Sequence, residues 1–302
     1  MIIHRSATGL VVHAPAKLNL FFEVLGKRED GYHEIETLMC PIDLYDTLYF
    51  QEDPSGQLEL ECEKTCPSAG LSGGAPVELP EGRANLVWRA ADLLRRRAGG
   101  RAGAVLRLVK RIPTQAGLGG GSSDAAAALA AGNLGWGLRW SQAELAAAAA
   151  ELGSDVAFFL AGGAAVCRGR GERVERVEVT GALHFAVVCP PAGLSTAAVY
   201  DVCRPAAEPK ALRPLGDALG RGDMCQLGRL LFNRLQPAAE SLSPWIARLR
   251  REFERTDCLG HGMTGSGTSY FGLCRHARHA RRIARRLAAN GVGSVFAVQS
   301  CR

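Results

Sequence analysis

Residues Pro113 to Ser123 read PTQAGLGGGSS and combine four glycines with two hydroxyl side chains, directly before an alanine-rich stretch. Glycines let a backbone approach a ligand closely with its N–H groups exposed. Ser122 and Ser123 add hydroxyl donors at the predicted start of a helix, where the helix dipole is positive. This combination attracts a polyphosphate. The predicted phosphate-binding residues are Pro113, Thr114, Gln115, Ala116, Gly117, Leu118, Gly119, Gly120, Gly121, Ser122 and Ser123.

A flexible glycine connection is the alternative interpretation of this stretch. Two common phosphate loops are excluded, because no Lys follows these glycines as in a P-loop, and GxGxxG would need a glycine where Ser122 stands. Residues 104–112 alternate as a strand does. The alanine-rich residues 124–131 favour a helix that ends near Gly132. The predicted order is therefore strand, glycine loop and helix.

Two polar side chains lie close together in an otherwise apolar strand pattern. From Val12 to Val24 every even position is apolar or small, so Lys17 and Asn19 lie on the same side of a predicted strand. At strand rise they are about 7 Å apart. Spacing alone leaves open that both face water. Farther along, Asp155 follows the predicted end of a helix, where capping is the common role of such a residue.

Composition describes an ordinary globular protein, with 302 residues, 47% hydrophobic and 22% charged. This length holds one large domain or two moderate ones that share a cleft. The net charge of +6 suits anionic substrates, although chance also explains it. Residues 275–286 contain six arginines beside an apolar stripe, which predicts the solvent-facing side of an amphipathic helix. Nucleic-acid binding is the minor alternative, since no aromatic residues lie among these arginines.

The ten cysteines contain no CxxC pair, and the first residues contain no secretory signal. The longest apolar stretch, residues 156–167, is too short to span a bilayer. We therefore expect a cytoplasmic protein with reduced thiols and no membrane contact. Residues 66–80 are rich in Gly, Ser and Pro and predict a surface loop that is dispensable for folding and chemistry.

Three segments together resemble the GHMP kinases, the family of galactokinase, homoserine kinase and mevalonate kinase. PTQAGLGGGSS matches their PxxxGLGxxSS phosphate loop, and residues 153–159 (GSDVAFF) match the segment that carries their catalytic base. Residues 263–271 (MTGSGTSYF) match their third motif. The resemblance implies an α+β fold of two lobes. Residues 1–173 would form a ribosomal S5-like lobe with a left-handed βαβ unit, and residues 174–302 a ferredoxin-like lobe.

The same resemblance implies the roles of the nucleotide site and the catalytic pair. ATP would donate the phosphoryl group, and Mg²⁺ would accompany it, touched by Ser122 or Ser123; a carboxylate ligand for the metal cannot be identified. Asp155 would be the base, and Lys17 would hold it ionised and stabilise charge on the reacting oxygens. Nucleotide contacts are also implied for Asn85, Gly265 and Gly267. A plain helix cap explains Asn85 equally well.

The block GYHEIETLMCPIDLYDTLYF, residues 31–50, resembles the GHMP kinases of isoprenoid synthesis that phosphorylate the C2 hydroxyl of 4-diphosphocytidyl-2-C-methyl-D-erythritol. Tyr32 and His33 would then contact the cytosine end of this small-molecule substrate. Residues 190–200 resemble a substrate loop, which implies a contact from Thr196 and stacking by Tyr200, with Asn19 as a further substrate contact. We expect no nucleic-acid partner and a monomer or weak homodimer. A homoserine or mevalonate type of kinase and a noncatalytic nucleotide-binding member are the alternatives.

Overall fold

The computed structural model describes residues 1–65 and 79–301, which fold into two sheets with helices. Most of the predicted loop at 66–80 lies outside these residues, so its dispensability stays a prediction. The strands are β1 Ile2–Ser6, β2 Gly9–Lys27, β3 His33–Asp53, β4 Leu58–Lys64, β5 Gly103–Lys110, β6 Ala165–Gly169, β7 Arg173–Arg176, β8 His184–Cys189, β9 Phe232–Asn233, β10 Gly260–Met263, β11 Tyr270–Cys274 and β12 Ser294–Gln299.

The helices pack on these sheets. They are α1 Leu86–Arg97, α2 Gly120–Gly135, α3 Gln142–Leu152, α4 Val156–Ala161, α5 Thr196–Val202, α6 Arg213–Arg221, α7 Met224–Leu230, α8 Gln236–Leu242, α9 Pro244–Glu254 and α10 Ala277–Ala289. Among the described residues no helix is long and apolar enough to cross a membrane.

Within the described residues, the first sheet has eight strands, with the path β1-β2-β3-β5-β4 and with β6, β7 and β9 added beside it. Its centre is the long antiparallel pair β2–β3, whose register shifts between Pro15 and Ala16 and again beyond Asn19. Strands β4 and β5 are parallel neighbours joined through α1. The second sheet is antiparallel, in the order β10-β11-β8-β12. The architecture is α+β, as predicted.

One hydrophobic core joins the two lobes. It contains Leu18 and Leu20 from β2 together with Phe185 from β8 and Phe271 from β11, each at most 1% exposed. A separate core lies between the first sheet and helices α1 to α4. Because β2 contributes to the shared core, the polar residues along this strand lie where the lobes meet.

Several local predictions differ from the structure. Strand β7 pairs with β6 in the first sheet, whereas the family resemblance implied that residues from 174 onward belong to the second lobe. The boundary at 173/174 itself stays a prediction. Phe232 and Asn233 form a short strand parallel to β2. Helix α2, predicted to end near Gly132, continues to Gly135. Gly132 is an internal helix residue that packs against Leu94.

The arginine-rich residues 275–286 meet the amphipathic expectation. Helix α10 buries Ala280, Ile283, Ala284 and Leu287 on one side and leaves its arginines outside. His279 on the same helix is buried, and its Nε2 lies 3.2 Å from Asp257 Oδ1.

Candidate active site

A cavity of about 670 Å³ lies between the lobes, and ten of the predicted site residues line it. Strand β2, the glycine loop, the end of α3, helix α5 and the β10–β11 turn all contribute to its wall. The predicted residues on this wall are Lys17, Tyr32, His33, Gly117, Gly119, Ser122, Asp155, Thr196, Tyr200 and Gly265. Residues from distant parts of the sequence therefore meet at one place.

A second cavity of about 320 Å³ adjoins the first along the glycine loop. Asn85 and the loop residues from Pro113 to Ser122 line it, and Gly117, Gly119 and Ser122 face both cavities. Ser123 lies behind the loop with no exposed surface. Gly267 lines a third recess of about 620 Å³ next to Gln115 and Thr196. The loop therefore separates a nucleotide-sized space from the larger cavity.

The glycine loop needs glycine at two positions. Gly117 and Gly119 have φ angles of 74° and 72°, which lie in the left-handed region. A Cβ at Gly117 would lie 2.6 Å from the carbonyl oxygen of Thr264, and one at Gly119 would lie 2.9 Å from the ring of Phe159. Any larger residue would thus push the loop away from its neighbours. Helix α2 starts directly after Gly119, so its N–H groups face the second cavity.

The third motif is hydrogen-bonded to the same loop. Ser269 N donates to Ala116 O at 3.1 Å, and Gly265 in the same turn has a φ of 60°. A Cβ at Gly265 would lie 3.3 Å from the ammonium nitrogen of Lys17. The loop also contacts strand β2, because Lys17 N donates to Leu118 O at 2.9 Å. Lys17 is therefore enclosed by two glycine segments.

Lys17 and Asp155 form an ion pair in the larger cavity. Lys17 Nζ lies 3.7 Å from Asp155 Oδ2, and the side chains are 5% and 32% exposed. Burial lowers the pKa of the Lys17 ammonium, and the negative charge of Asp155 opposes part of this effect. Asp155 precedes α4 but makes no capping hydrogen bond, which removes support for the capping alternative. Its carboxylate faces the cavity instead.

Asn19 lies beside Lys17, as the strand pattern predicted, but neither side chain faces water. Lys17 is 4% and Asn19 2% exposed, so the alternative of a solvated pair is wrong. Lys17 Nζ donates to Asn19 Oδ1, and Asn19 Nδ2 donates to Thr37 Oγ1 at 2.9 Å. The second side of β2 is buried because the β10–β11 turn covers it through Thr264. A direct contact of Asn19 with substrate stays a prediction.

Aromatic rings gather at the far end of the larger cavity. The rings of His33 and Tyr200 are stacked with centroids 4.9 Å apart. Burial, and then the nearby charge of Lys27, lowers the pKa of His33, which favours the neutral ring. Tyr200 lies within helix α5 and not at the end of a loop, since Ser195 caps a helix from Thr196 onward.

Arg170 is a cavity residue that sequence reasoning missed. Its guanidinium lies over the ring of Tyr32, 4.8 Å from the centroid, and both residues line the larger cavity. Arg170 directly follows β6, which comes soon after the Asp155 segment in the sequence. This position could have indicated Arg170 as a candidate site residue. Thr196 also lines this cavity, and its hydroxyl is 2.8 Å from that of Ser266.

Asn85 caps α1 and also lines the second cavity. Its Oδ1 accepts from Val87 N at 2.9 Å, and its Nδ2 donates to Pro80 O at 2.8 Å. The capping interpretation is confirmed, and a role toward adenine stays a prediction.

A buried charge cluster below this cavity was also missed. Lys110 Nζ contacts Asp46 Oδ2 and lies 2.6 Å from Asp124 Oδ2. Within the described part of the chain, Asp124 Oδ1 is buried without a hydrogen-bond partner. Burial raises the pKa of Asp124, despite the adjacent ammonium of Lys110. Lys110 and Asp124 both line the second cavity, so titratable groups of this cluster border it.

Among the described residues, no cluster of His, Cys, Asp and Glu has the arrangement of a protein metal centre. This is compatible with a magnesium ion that arrives with a nucleotide, because Mg²⁺ is commonly held by phosphates and waters with one or two protein ligands. The hydroxyl of Ser122 is an oxygen donor on the glycine loop, at the wall of the larger cavity.

Comparisons with known proteins agree with this geometry. Residues 85–163 match the family description "GHMP kinases N terminal domain", and residues 217–293 match "GHMP kinases C terminal". A 4-diphosphocytidyl-2-C-methyl-D-erythritol kinase from Pelotomaculum thermopropionicum is 44% identical over 90% of this chain and 92% of its own length. The protein of that name from Synechococcus is 42% identical over 89% and 91%.

Solved structures give the same result. The crystal structure of a 4-(cytidine 5'-diphospho)-2C-methyl-D-erythritol kinase has a TM-score of 0.79 and 35% identity, and it covers 97% of this chain and 99% of its own. A homoserine kinase from Cytophaga hutchinsonii has a TM-score of 0.74 at 19% identity, over 100% and 97% of the two chains, which supports the fold alone.

The chain therefore belongs to the GHMP kinase family of ATP-dependent kinases. Within that family it belongs to the 4-diphosphocytidyl-2-C-methyl-D-erythritol kinases. The two-lobed GHMP kinase fold predicted from the sequence is confirmed.

Proposed function

We propose that this protein transfers the γ-phosphoryl group of ATP to the tertiary C2 hydroxyl of 4-diphosphocytidyl-2-C-methyl-D-erythritol, in the non-mevalonate route to isoprenoid precursors. The observation that carries the proposal is the Lys17–Asp155 pair, 3.7 Å apart on the wall of the larger cavity, beside a glycine loop that also borders a nucleotide-sized cavity. The relatives that share the chain nearly end to end have this name, which supports the choice of acceptor.

ATP would bind along the glycine loop with its adenine in the second cavity. The N–H groups at the start of α2 and the hydroxyl of Ser122 suit the phosphates. Asn85 and Asp124 line this second cavity, at the end proposed for the adenine. Gly265 and Gly267 would close over the phosphates from the other lobe. When bound, Mg²⁺, held by the phosphates and by Ser122, would neutralise charge on the transferred group.

The acceptor hydroxyl would lie between Asp155 and Lys17. Asp155 takes the hydroxyl proton while the oxygen bonds to the γ-phosphorus and the bond to the bridging oxygen of ADP breaks. The Lys17 ammonium stabilises negative charge on the reacting oxygens. A tertiary alcohol is a hindered nucleophile, so positioning contributes at least as much as proton removal.

The cytidine end would lie among the aromatic residues of the larger cavity. Tyr200 offers a ring for stacking on cytosine, and His33 holds that ring from the other side at 4.9 Å. Tyr32 and Arg170 line the same cavity, and the guanidinium suits a phosphate or a base carbonyl. Thr196 would contact the erythritol or diphosphate portion between these ends.

The test is an ADP-release assay with ATP and Mg²⁺, run in parallel with diphosphocytidyl-methylerythritol, homoserine and mevalonate. Turnover with the first substrate alone supports the proposal, and turnover with either of the others in its place contradicts it. ATP binding without any turnover would favour a noncatalytic member. The cytoplasmic location and the monomer or weak homodimer remain predictions from the sequence.

A further inference from the structure

The amide of Asn19 is oriented by a threonine behind it. Thr37 Oγ1 lies 2.6 Å from Phe21 O, so the hydroxyl gives its one proton to that carbonyl. Toward Asn19 it can then only accept, and it does so from Nδ2 at 2.9 Å. The NH₂ end of the amide is thereby fixed on the side of Thr37. Its oxygen is left facing Lys17 and Thr264.

A second threonine, from the other lobe, completes the arrangement. Thr264 lies in the turn between β10 and β11 and has no exposed surface. Its Oγ1 accepts from Asn19 N at 2.9 Å and donates to Asn19 Oδ1 at 3.2 Å. The amide oxygen therefore has two donors, the Thr264 hydroxyl and the Lys17 ammonium. If the direction of any of these hydrogen bonds were reversed, a buried donor would be left without an acceptor.

The turn that carries Thr264 is itself held in place. Asn233 Nδ2 donates to Met263 O and to Gly265 O, both at 2.8 Å, on either side of Thr264. The side chain of Asn233 thus fixes the backbone on both sides of Thr264, and with it the position of the Thr264 hydroxyl beside Asn19. The Lys17 ammonium, in turn, donates to Asn19 Oδ1. The same Nζ atom lies 3.7 Å from Asp155 Oδ2.

We propose that Thr264 and Thr37 are positioning residues for the phosphoryl transfer, because they hold the Asn19 amide that in turn orients the Lys17 ammonium beside Asp155. This inference rests on the proposed function for its kinetic consequence, but the hydrogen-bond network can be tested without substrate. According to this inference, the position of Lys17 depends on how the third glycine motif packs against β2. Neither threonine touches the reacting atoms.

The kinetic test compares isosteric and conservative variants. Thr264→Val keeps the shape and removes the hydroxyl, so Asn19 Oδ1 loses one donor and Asn19 N loses its acceptor. The amide that holds the Lys17 ammonium is then less firmly fixed. We expect kcat to fall about 10- to 100-fold, where tenfold corresponds to about 1.4 kcal/mol in the barrier, with each KM changed less than about threefold. Thr264→Ser, which retains the hydroxyl, should recover most of the lost activity. Thr37→Val and Thr37→Ser should repeat this pattern.

The second readout follows the charge on Lys17 directly. The chain has five lysines, at positions 17, 27, 64, 110 and 210, so ¹³C-lysine labelling gives a small set of NMR signals. The Lys17 signal is the one missing from Lys17→Arg. The groups that face Lys17 are the Asp155 carboxylate, the Asn19 amide and, from β6, the thiol of Cys167. Asp155 and Cys167 remain in the threonine variants.

When Asn19, the acceptor of the Lys17 ammonium, is no longer held in place, the charged form of Lys17 is destabilised. The pKa of Lys17 should therefore lie lower in Thr264→Val than in the wild type. Thermal unfolding shows whether the variant is folded; if it is not, Thr37→Val provides the same comparison from the other lobe. A Lys17 titration and a kcat that are unchanged in a folded valine variant would overturn the inference. A wild-type enzyme without activity on the cytidylyl substrate would instead overturn the proposed function, while the NMR result still decides the role of the threonines.

Discussion

Lys17 Nζ and Asp155 Oδ2 lie 3.7 Å apart, which is longer than an N–H···O hydrogen bond and within the range of charge attraction. The two groups therefore attract each other without consuming each other's hydrogen-bonding capacity. A hydroxyl that approaches from the cavity can give its proton to the carboxylate while its oxygen faces the ammonium.

Replacement of Asp155 by Asn tests its role as the base. Asn keeps the size of Asp but does not accept the proton, and base catalysis typically contributes about 10²–10⁴-fold. We expect kcat to fall by roughly that factor, with ATP binding intact by calorimetry. An Asp155→Asn enzyme that keeps more than about a third of the wild-type kcat would remove the base assignment.

A double variant shows whether the pair acts as a unit. Lys17→Met should also lower kcat, because the reacting oxygens lose their cation. In the combination of Lys17→Met with Asp155→Asn, the loss should be much smaller than the sum of the two single losses on a logarithmic scale. Additive losses would mean that the two side chains contribute independently. Steady-state kcat of all four proteins is the measurement.

The pH dependence of kcat follows from the buried ammonium. Burial lowers the pKa of Lys17, and Asp155 offsets only part of this. Because the charged form is the active one, kcat should fall as the pH rises through this lowered pKa, below the usual lysine value of about 10.4. In Lys17→Arg the guanidinium stays charged, so this decline should disappear from the accessible range. A decline at the same pH in that variant would assign it to another group.

Loss of the Tyr200 ring should affect one substrate alone. Tyr200→Ala removes the surface on which cytosine stacks, and base–aromatic stacking is worth about 1–3 kcal/mol. KM for the cytidylyl substrate should rise about 5- to 150-fold, while KM for ATP changes little. Tyr200→Phe is the matched control, since it retains the ring and its contact with His33. Equal losses for both substrates in Tyr200→Ala would indicate a local folding defect.

Much of the wall of the larger cavity could be predicted from the sequence, because its residues follow local sequence patterns. The glycine spacing in residues 113–123 follows from backbone conformation, since Gly117 and Gly119 have positive φ and backbone or ring neighbours that exclude a Cβ. The alternation along β2 put Lys17 and Asn19 on one side of a strand. Assignment of a base to Asp155 required the family resemblance, because its local sequence equally suits a helix cap.

Partners that are distant in sequence could not be predicted in the same way. Thr264 lies 245 residues from Asn19, and no local pattern indicates that its hydroxyl reaches β2. The strand pattern likewise could not show that both sides of β2 are buried, since the second side is covered by another lobe. Asp46 in β3 and Lys110 at the end of β5 lie 64 residues apart, and no local pattern indicates that they meet. Tertiary packing decides these contacts.

The buried cluster of Lys110, Asp46 and Asp124 predicts a change in stability with pH. One ammonium contacts two carboxylates, and burial raises the pKa of Asp124 to about 8. Between the unfolded value of about 4 and this folded value, the folded protein binds a proton that the unfolded chain has released. The free energy of unfolding therefore loses this contribution as the pH rises through that interval, by at most about 1.4 kcal/mol per pH unit.

Asp124→Asn removes this titration while it keeps the size of the side chain and the Lys110–Asp46 pair. The variant should therefore gain stability relative to the wild type as the pH rises from about 4 to about 8, and the difference should level off above that range. Urea unfolding at a series of pH values measures it. Asp217→Asn is the control, because this carboxylate is 54% exposed on α6 and its replacement should give a curve parallel to the wild type. A difference between Asp124→Asn and the wild type that stays constant across the interval would mean that Asp124 is ionised throughout, with Lys110 compensating both carboxylates.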